Sequence, residues 1–298
     1  MRTPFPSGRV RAAPQDKMPK EKILGKIFLL IALSSISILA LIAFFIFVEG
    51  VPLIWKVGLR SFLLGERWFP SQGSFGIFPM IVGSFWVTVG ALIVGVPLGV
   101  ACAIFLCELI PPSVSMILRP MIQLLAAIPS VIFGFWGLII LVPLIRTHLG
   151  GPGLSILAGS LVLGVMIMPT IISISEDALR ALPRSLKEGA LSLGATHWQT
   201  IWRVLLPAAR SGIVSSIILG MGRAVGETMA MIMILGNAVK VPESILSSAR
   251  TLTTNIGIEM GYATGDHRQA LFATGVILFF IIMGLNSLAL MVSRRRKG

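Results

Sequence analysis

The chain is laid out as long apolar blocks joined by shorter charged connections. Five blocks contain no Asp, Glu, Lys or Arg: residues 27–48, 68–107, 120–145, 147–175 and 269–293. A sixth, residues 211–239, is interrupted only by Arg223 and Glu227. Each exceeds the ~20 residues a helix needs to cross a hydrocarbon core of ~30 Å. None alternates with period two over segments of ~10 residues, as the strands of a transmembrane β-barrel do. The pattern predicts an all-α, polytopic membrane protein with six transmembrane helices. Composition agrees, with 55% hydrophobic residues, 12% charged residues and a mean hydropathy of +0.91.

The first block follows Lys17, Lys20, Lys22 and Lys26, as the core of a signal peptide would. Its 22 residues are too many for that core, and no small-residue cleavage site follows, so it is expected to remain as the first helix. The net charge of +13 is explained by topology. With the amino terminus inside, 17 Lys and Arg fall on the inner side and seven on the outer, as the positive-inside rule requires. Both termini are then cytoplasmic, the terminal "RRRKG" sits among the anionic headgroups of membrane lipid, and nucleic acid is not expected as a partner. Cys102 and Cys107 are read as small buried side chains on different helix faces, and neither they nor the three histidines form a metal set.

Four connections carry information. The outer loop 49–76 holds apolar residues beside Lys56, Arg60 and Arg67, the pattern of a short interfacial helix. A second outer loop, 240–268, has room for another helix around "TLTTNIGIEM". The inner loop "ELIPPSVSMILR" is brief, whereas 176–210 is the longest ordered-looking soluble piece. There "SLKE" and "THWQ" each fit a capping box, which predicts two helix starts, with Gly194 ending the first helix between them. Trp198, Ile201, Trp202 and Leu205 recur at steps of three and four as one apolar face, and Pro207 predicts a break before the fifth spanning helix begins near Gly212. Such a projecting helix pair is either a docking element for a partner or a loop packed only on its own protein.

The same residues resemble the EAA loop of bacterial ATP-binding-cassette importer permeases. "EGALSLGATHWQTIWRVLLP" places Glu188, Gly189, Ala190 and Gly194 at that loop's spacing, ending in Leu206 and Pro207, with Gly189 in place of the usual Ala and Val204 in place of the usual Ile. "RWFPSQGSFGIFPMIVGSFW", "AAIPSVIFGFWGL", "GRAVGETMAMIMILGN" and "NIGIEMGYATGDHRQALFATG" resemble the PstC-type permease subunits of phosphate-specific importers. The resemblance implies the ABC type I importer permease fold in a bacterial inner membrane. With the flexible cytoplasmic tail, 1–26, that the chain's own composition predicts, it implies a transmembrane permease domain, 27–298, with its coupling loop at 177–210. It also implies a PstA-type sister permease, two PstB-type ATPase subunits and a PstS-type extracytoplasmic phosphate-binding protein as partners. The chain has no Gly-x-x-x-x-Gly-Lys-Ser/Thr loop, since its only Gly-Lys pair is Gly25–Lys26. No cofactor is expected in this chain, no covalent chemistry is expected of it, and ATP and Mg²⁺ are expected on the ATPase partners.

The charges in the sixth block remain to be explained. On a helix starting near Gly212, Arg223 lies eleven residues in, about 16 Å along the axis and near mid-bilayer. An arginine there costs roughly 2.5–3.5 kcal/mol on insertion scales, so it is expected to face protein or a wet cavity. Glu227, four residues on, is expected to pair with it. The pair either locks two helices together or presents a guanidinium whose planar fork can donate two hydrogen bonds to an oxyanion. The resemblance favours the second, and implies Arg223 and Glu227 in phosphate passage. Thr228 and Ser130 are weaker path candidates, each with a hydroxyl that can instead bond its own helix backbone. Gly220, Gly222 and Gly226 either allow close helix approach or leave room for the anion. Sulfate or molybdate import, and an ATPase-independent anion channel or carrier, remain as alternative functions.

Overall fold

The computed structural model describes residues 19–294, and contacts divide the chain into two units, Met1–Phe45 and Ile46–Gly298. Residues 1–18 of the expected tail and 295–298 of the basic terminus lie outside the described residues. Helix α1 (Pro19–Val57) opens within that tail and crosses the boundary. From Leu24 to Phe45 nearly all its side chains are exposed, which suits a solvent as apolar as leucine itself. Among the described residues six helices are long and apolar enough to cross a membrane: Leu24–Val57, Phe78–Leu109, Ser130–His148, Ile156–Arg180, His197–Gly226 and Gly265–Ser287.

Two blocks are cut differently from their hydropathy. Residues 68–75 are apolar yet form a hairpin, because Pro70 and Gly73, the latter at φ 70°, turn the chain. β1 (Trp68–Phe69) pairs antiparallel with β2 (Ser74–Phe75), and α3 (Phe78–Ile104) begins only afterwards. Residues 120–145 are not one helix. α4 (Pro112–Ala127) stops ahead of Pro129, which disfavours helical backbone in the residue before it, and α5 (Ser130–Trp136) starts afresh. A five-residue π-turn, Gly137–Leu141, then carries α5 into α6 (Val142–His148).

The fifth span corrects the expected break at Pro207. α8 (Arg184–Ser192) is followed by α9 (His197–Thr200), a π-turn at Ile201–Leu205 and α10 (Leu206–Gly226), all continuous from His197. Pro207 falls in the first turn of α10, where the widened turn has already disturbed the i→i−4 ladder and a missing N–H is tolerated. The same turn splits the expected apolar face. Ile201 and Leu205 are buried, while Trp198 and Trp202 are exposed and meet edge to face at 5.8 Å.

Within the unit from Ile46 onward, α7 (Ile156–Arg180) is the central helix and small residues set how closely its neighbours approach. A Cβ on Gly90 of α3 would lie 2.2 Å from Ser160 Oγ, and one on Gly99 2.8 Å from Ile171 Cγ2. On the α10 side, a Cβ on Gly212 would lie 2.2 Å from Ala178 Cβ, and the Ser175 and Ser216 hydroxyls hydrogen-bond at 2.8 Å. Close approach and buried hydroxyl pairs are the means by which helices associate in lipid, where expelling water contributes little. At the hairpin end, Leu53, Phe62, Trp68, Phe75 and Leu271 form a separate apolar cluster joining the end of α1, α2 (Leu59–Leu64), the hairpin and α13 (Gly265–Arg294). Cys102 and Cys107 are free and half-buried rather than fully buried.

Candidate functional site

The loop at residues 177–210 is a helix, a glycine turn and a second helix, as expected, with one of the two expected capping boxes formed. Thr196 accepts the Gln199 amide at 3.2 Å while Gln199 Oε1 accepts the Thr196 amide at 2.9 Å, a complete capping box. The "SLKE" box does not form: Pro183 caps α8 and Ser185 is already inside it. Gly194 takes φ 82° and ends α8 in the left-handed conformation. Glu188 and Gly189 are exposed and Ala190 half-buried; Leu206 is half-buried and Pro207 exposed. No residue of α8 is buried, so its outer surface is open.

Arg223 lies in the last turn of α10. Gly220, three residues before it, packs on Ile171 and Ile167 midway along α7, so Arg223 lies about one turn beyond the middle of that helix; the rise counted from Gly212 does not fix its depth, because the span begins at His197. The expected pairing with Glu227 is absent. α10 ends at Gly226, Glu227 turns into extended backbone at φ −70°, ψ 128°, and its Oε1 accepts the Ala230 amide at 3.2 Å at the start of α11 (Met229–Ile234). Four residues bring side chains onto one face only while the helix continues. Arg223 is exposed, and the structure gives its guanidinium no hydrogen bond or ion pair among the described residues.

The α10 glycines divide. Gly220 allows close packing, whereas a Cβ on Gly222 or Gly226 would meet nothing within 4 Å. Leu219, Gly222, Arg223 and Gly226, spaced three and four apart, therefore line one open face of α10. Beside it, α5 and α11 run parallel in close contact: a Cβ on Gly134 would lie 2.9 Å from Ala230 Cα, and one on Gly137 3.3 Å from Ile234 Cγ2. This register sets the break before Ser130 level with the break at Glu227. Ser130 opens α5 half-buried, with no side-chain hydrogen bond among the described residues. Thr228 donates to the Gly226 carbonyl at 3.4 Å, the backbone bond that competes with a path role. Behind the break, α12 (Leu252–Glu259) supports Glu227 through Thr253 Oγ1, which donates to the Glu227 carbonyl at 2.9 Å.

Three charged clusters were not legible as sites. At the hairpin end, buried Glu259 accepts Trp68 Nε1 and His267 Nε2, each at 2.8 Å, and Arg250 Nη1 at 2.6 Å. Burial alone would raise its pKa, but the hydrogen bonds from Trp68, His267 and Arg250, with the Arg250 charge, hold it below the usual carboxylate range. At the α8 end, buried Glu176 pairs with Arg119 and Arg180, and Arg180 Nη2 donates to Ser115 Oγ at 2.9 Å. Glu108 takes Lys187 and His197. Only Glu176 and Arg180, four apart on one helix, left a signal in the sequence.

A family of binding-protein-dependent transport system inner membrane components matches residues 95–298. A probable ABC transporter permease, YqgH of Bacillus subtilis, is 43% identical, covering 89% of this chain and 88% of its own. The phosphate transport system permease PstC of Pasteurella multocida is 38% identical, over 80% of this chain and 82% of its own. Two crystallised importers share the fold. A bacterial alginate ABC transporter in complex with its periplasmic protein has a TM-score of 0.61 at 18% identity, covering 92% of this chain and 96% of that one. The methionine transporter MetNI, inward-facing, has a TM-score of 0.56 at 22% identity, covering 74% and 94%. With its six apolar spans, type I importer fold and matched relatives, the chain belongs to the binding-protein-dependent transport system inner membrane component family, among its PstC-type permeases.

Proposed function

We propose that this chain is a permease subunit of an ATP-driven inorganic phosphate importer, and that the anion passes against the open face of α10 at Arg223. The observation that carries the site is the unpaired guanidinium of Arg223 within the apolar span His197–Gly226, on a face where Gly222 and Gly226 leave space. A charge so placed is costly unless protein, water or a ligand meets it, and a guanidinium fork matches two oxygens of a tetrahedral oxyanion. Phosphate is the substrate named for the PstC relatives. One guanidinium does not satisfy a dianion, so the open face is completed by a PstA-type sister permease that supplies a second cation.

The loop 177–210 docks two PstB-type ATPase subunits, with Glu188, Gly189, Ala190 and Gly194 at the contact and Leu206 and Pro207 leading into the membrane. ATP and Mg²⁺ bind to those subunits and the chain itself performs no hydrolysis. A PstS-type binding protein delivers phosphate at the hairpin end, so Arg223 faces outward-open and inward-open cavities in turn. Both termini then lie in the cytoplasm of a bacterial cell, with the protein in its inner membrane.

The test is reconstitution of the chain with these partners in proteoliposomes, comparing ATP-dependent phosphate and sulfate uptake. Phosphate uptake that requires ATP is expected. Preferential sulfate uptake, or uptake that persists without nucleotide, overturns the reading.

A further inference from the structure

The coupling loop is fastened to the transmembrane helices at one carboxylate. Glu108 sits in a π-turn, Phe105–Leu109, that extends α3 by one widened turn. Its Oε2 receives Lys187 Nζ at 2.6 Å and lies 3.5 Å from His197 Nε2. Lys187 belongs to α8 and His197 opens α9, so one carboxylate holds the first arm of the loop by an ion pair and lies beside the first residue of the second arm, across the Gly194 turn. Glu108 is only 13% exposed, against 37% for Lys187 and 43% for His197, so the carboxylate is the protected, fixed member of the set.

Little else holds α8. None of its residues is buried, and among the described residues Lys187 to Glu108 is its only side-chain hydrogen bond or ion pair to a transmembrane helix. The next residue along, Cys107, lies with its Sγ 3.6 Å from the Glu176 carbonyl, and the Glu176 carboxylate in turn binds Arg119 of α4 and Arg180 of α7. A push on α8 therefore reaches α3 at Glu108, directly beside the cluster that ties α4 to α7. α3 then carries the load along its glycine-studded contact with α7, the helix on which the Arg223 turn of α10 rests.

We propose that Glu108 is a positioning residue for energy coupling: it transmits displacement of the α8–α9 loop to α3, so that nucleotide-driven motion of the ATPases reopens the anion path. This rests on the reading of 177–210 as the ATPase-docking loop. A charge-assisted pair suits the role, because it holds the flexible α8 arm to one point yet can tilt as that arm moves, which apolar packing resists.

The experiment measures phosphate taken up per ATP hydrolysed in proteoliposomes containing the assembled complex. Glu108→Gln keeps the shape and removes the charge. It is expected to lower that ratio about fivefold or more, the lower end of ordinary coupling between two sites, while ATP hydrolysis continues. Lys187→Met, which leaves the carboxylate in place, is expected to do the same, and the exchange Glu108→Lys with Lys187→Glu to restore the ratio. A merely structural role changes the amount of complex but not uptake per ATP. A wild-type ratio in both single variants overturns the inference, as does failure of both to assemble, which would make the pair a folding element. Wild-type protein whose uptake ignores ATP overturns the docking reading itself, a different result.

Discussion

Arg223 and Glu227 stand on opposite sides of a helix end: α10 stops at Gly226, and the Glu227 carboxylate accepts the Ala230 amide at 3.2 Å rather than the guanidinium. The glutamate starts α11 and leaves the arginine open. Arg223→Gln is expected to abolish phosphate uptake with the complex still assembled. Glu227→Gln retains an oxygen that can accept the Ala230 amide, whereas Glu227→Ala removes it at about 1 kcal/mol, so uptake is expected to fall further in the alanine variant. Uptake assays paired with thermal stability of the purified complex check both, and equal losses in the two Glu227 variants would point to a role for its charge.

Gly194 is held at φ 82°, and a Cβ there would meet nothing within 4 Å, so the cost of Gly194→Ala is backbone strain alone, about 1–2 kcal/mol. That strain is expected to unsettle the turn between α8 and α9 and weaken ATPase association. Gly189→Ala adds no backbone strain inside α8 and puts there the residue usual at that position of the EAA loop, so it is expected to leave association intact. Co-purification of the ATPase subunits measures the contrast.

Trp198 and Trp202 present two indoles, packed edge to face, to the outside of the loop. Aromatic side chains so exposed are characteristic anchors of an interface. Replacing both with alanine is expected to cost the complex its ATPase subunits, with little change in the stability of the permease alone. Loss of that stability instead would mark the pair as part of the fold.

Gly90 and Ser160 fix the spacing of α3 and α7, since a Cβ on the glycine would lie 2.7 Å from Ser160 Cβ. Gly90→Ala is expected to destabilise by about 1–3 kcal/mol through overpacking. Ser160→Gly in the same chain should recover much of the loss, which thermal unfolding in detergent would register as non-additivity.

Glu259 binds three donors and has a depressed pKa, so the stability it provides is present above the ordinary glutamate value of about 4.3 and is lost as pH falls through its lower folded value. Glu259→Gln leaves Arg250 without its charge partner and is expected to cost about 3 kcal/mol or more near neutral pH. The difference from wild type should shrink as the medium is acidified below about pH 4.3. Unfolding curves at several pH values test the sign, and a constant difference would contradict it.

The six spans, a helix start at Thr196, and the turn at Gly194 could be read from the sequence because each depends on neighbouring residues: apolar length, a capping hydroxyl, a left-handed glycine; that the helix started at Thr196 runs on into the fifth span could not. Tertiary structure decided which parts of each block cross the membrane, where Pro129 breaks a helix that hydropathy makes continuous, and where Pro207 does not. It also decided that Glu227 caps α11, and it gathered Glu108, Lys187 and His197 at one point from separate segments. Hydropathy reports the solvent a segment prefers, and capping reports the backbone within one turn. Partners drawn from distant segments are chosen by how the helices pack, and here that packing is set by where glycines let α3 and α10 close against α7.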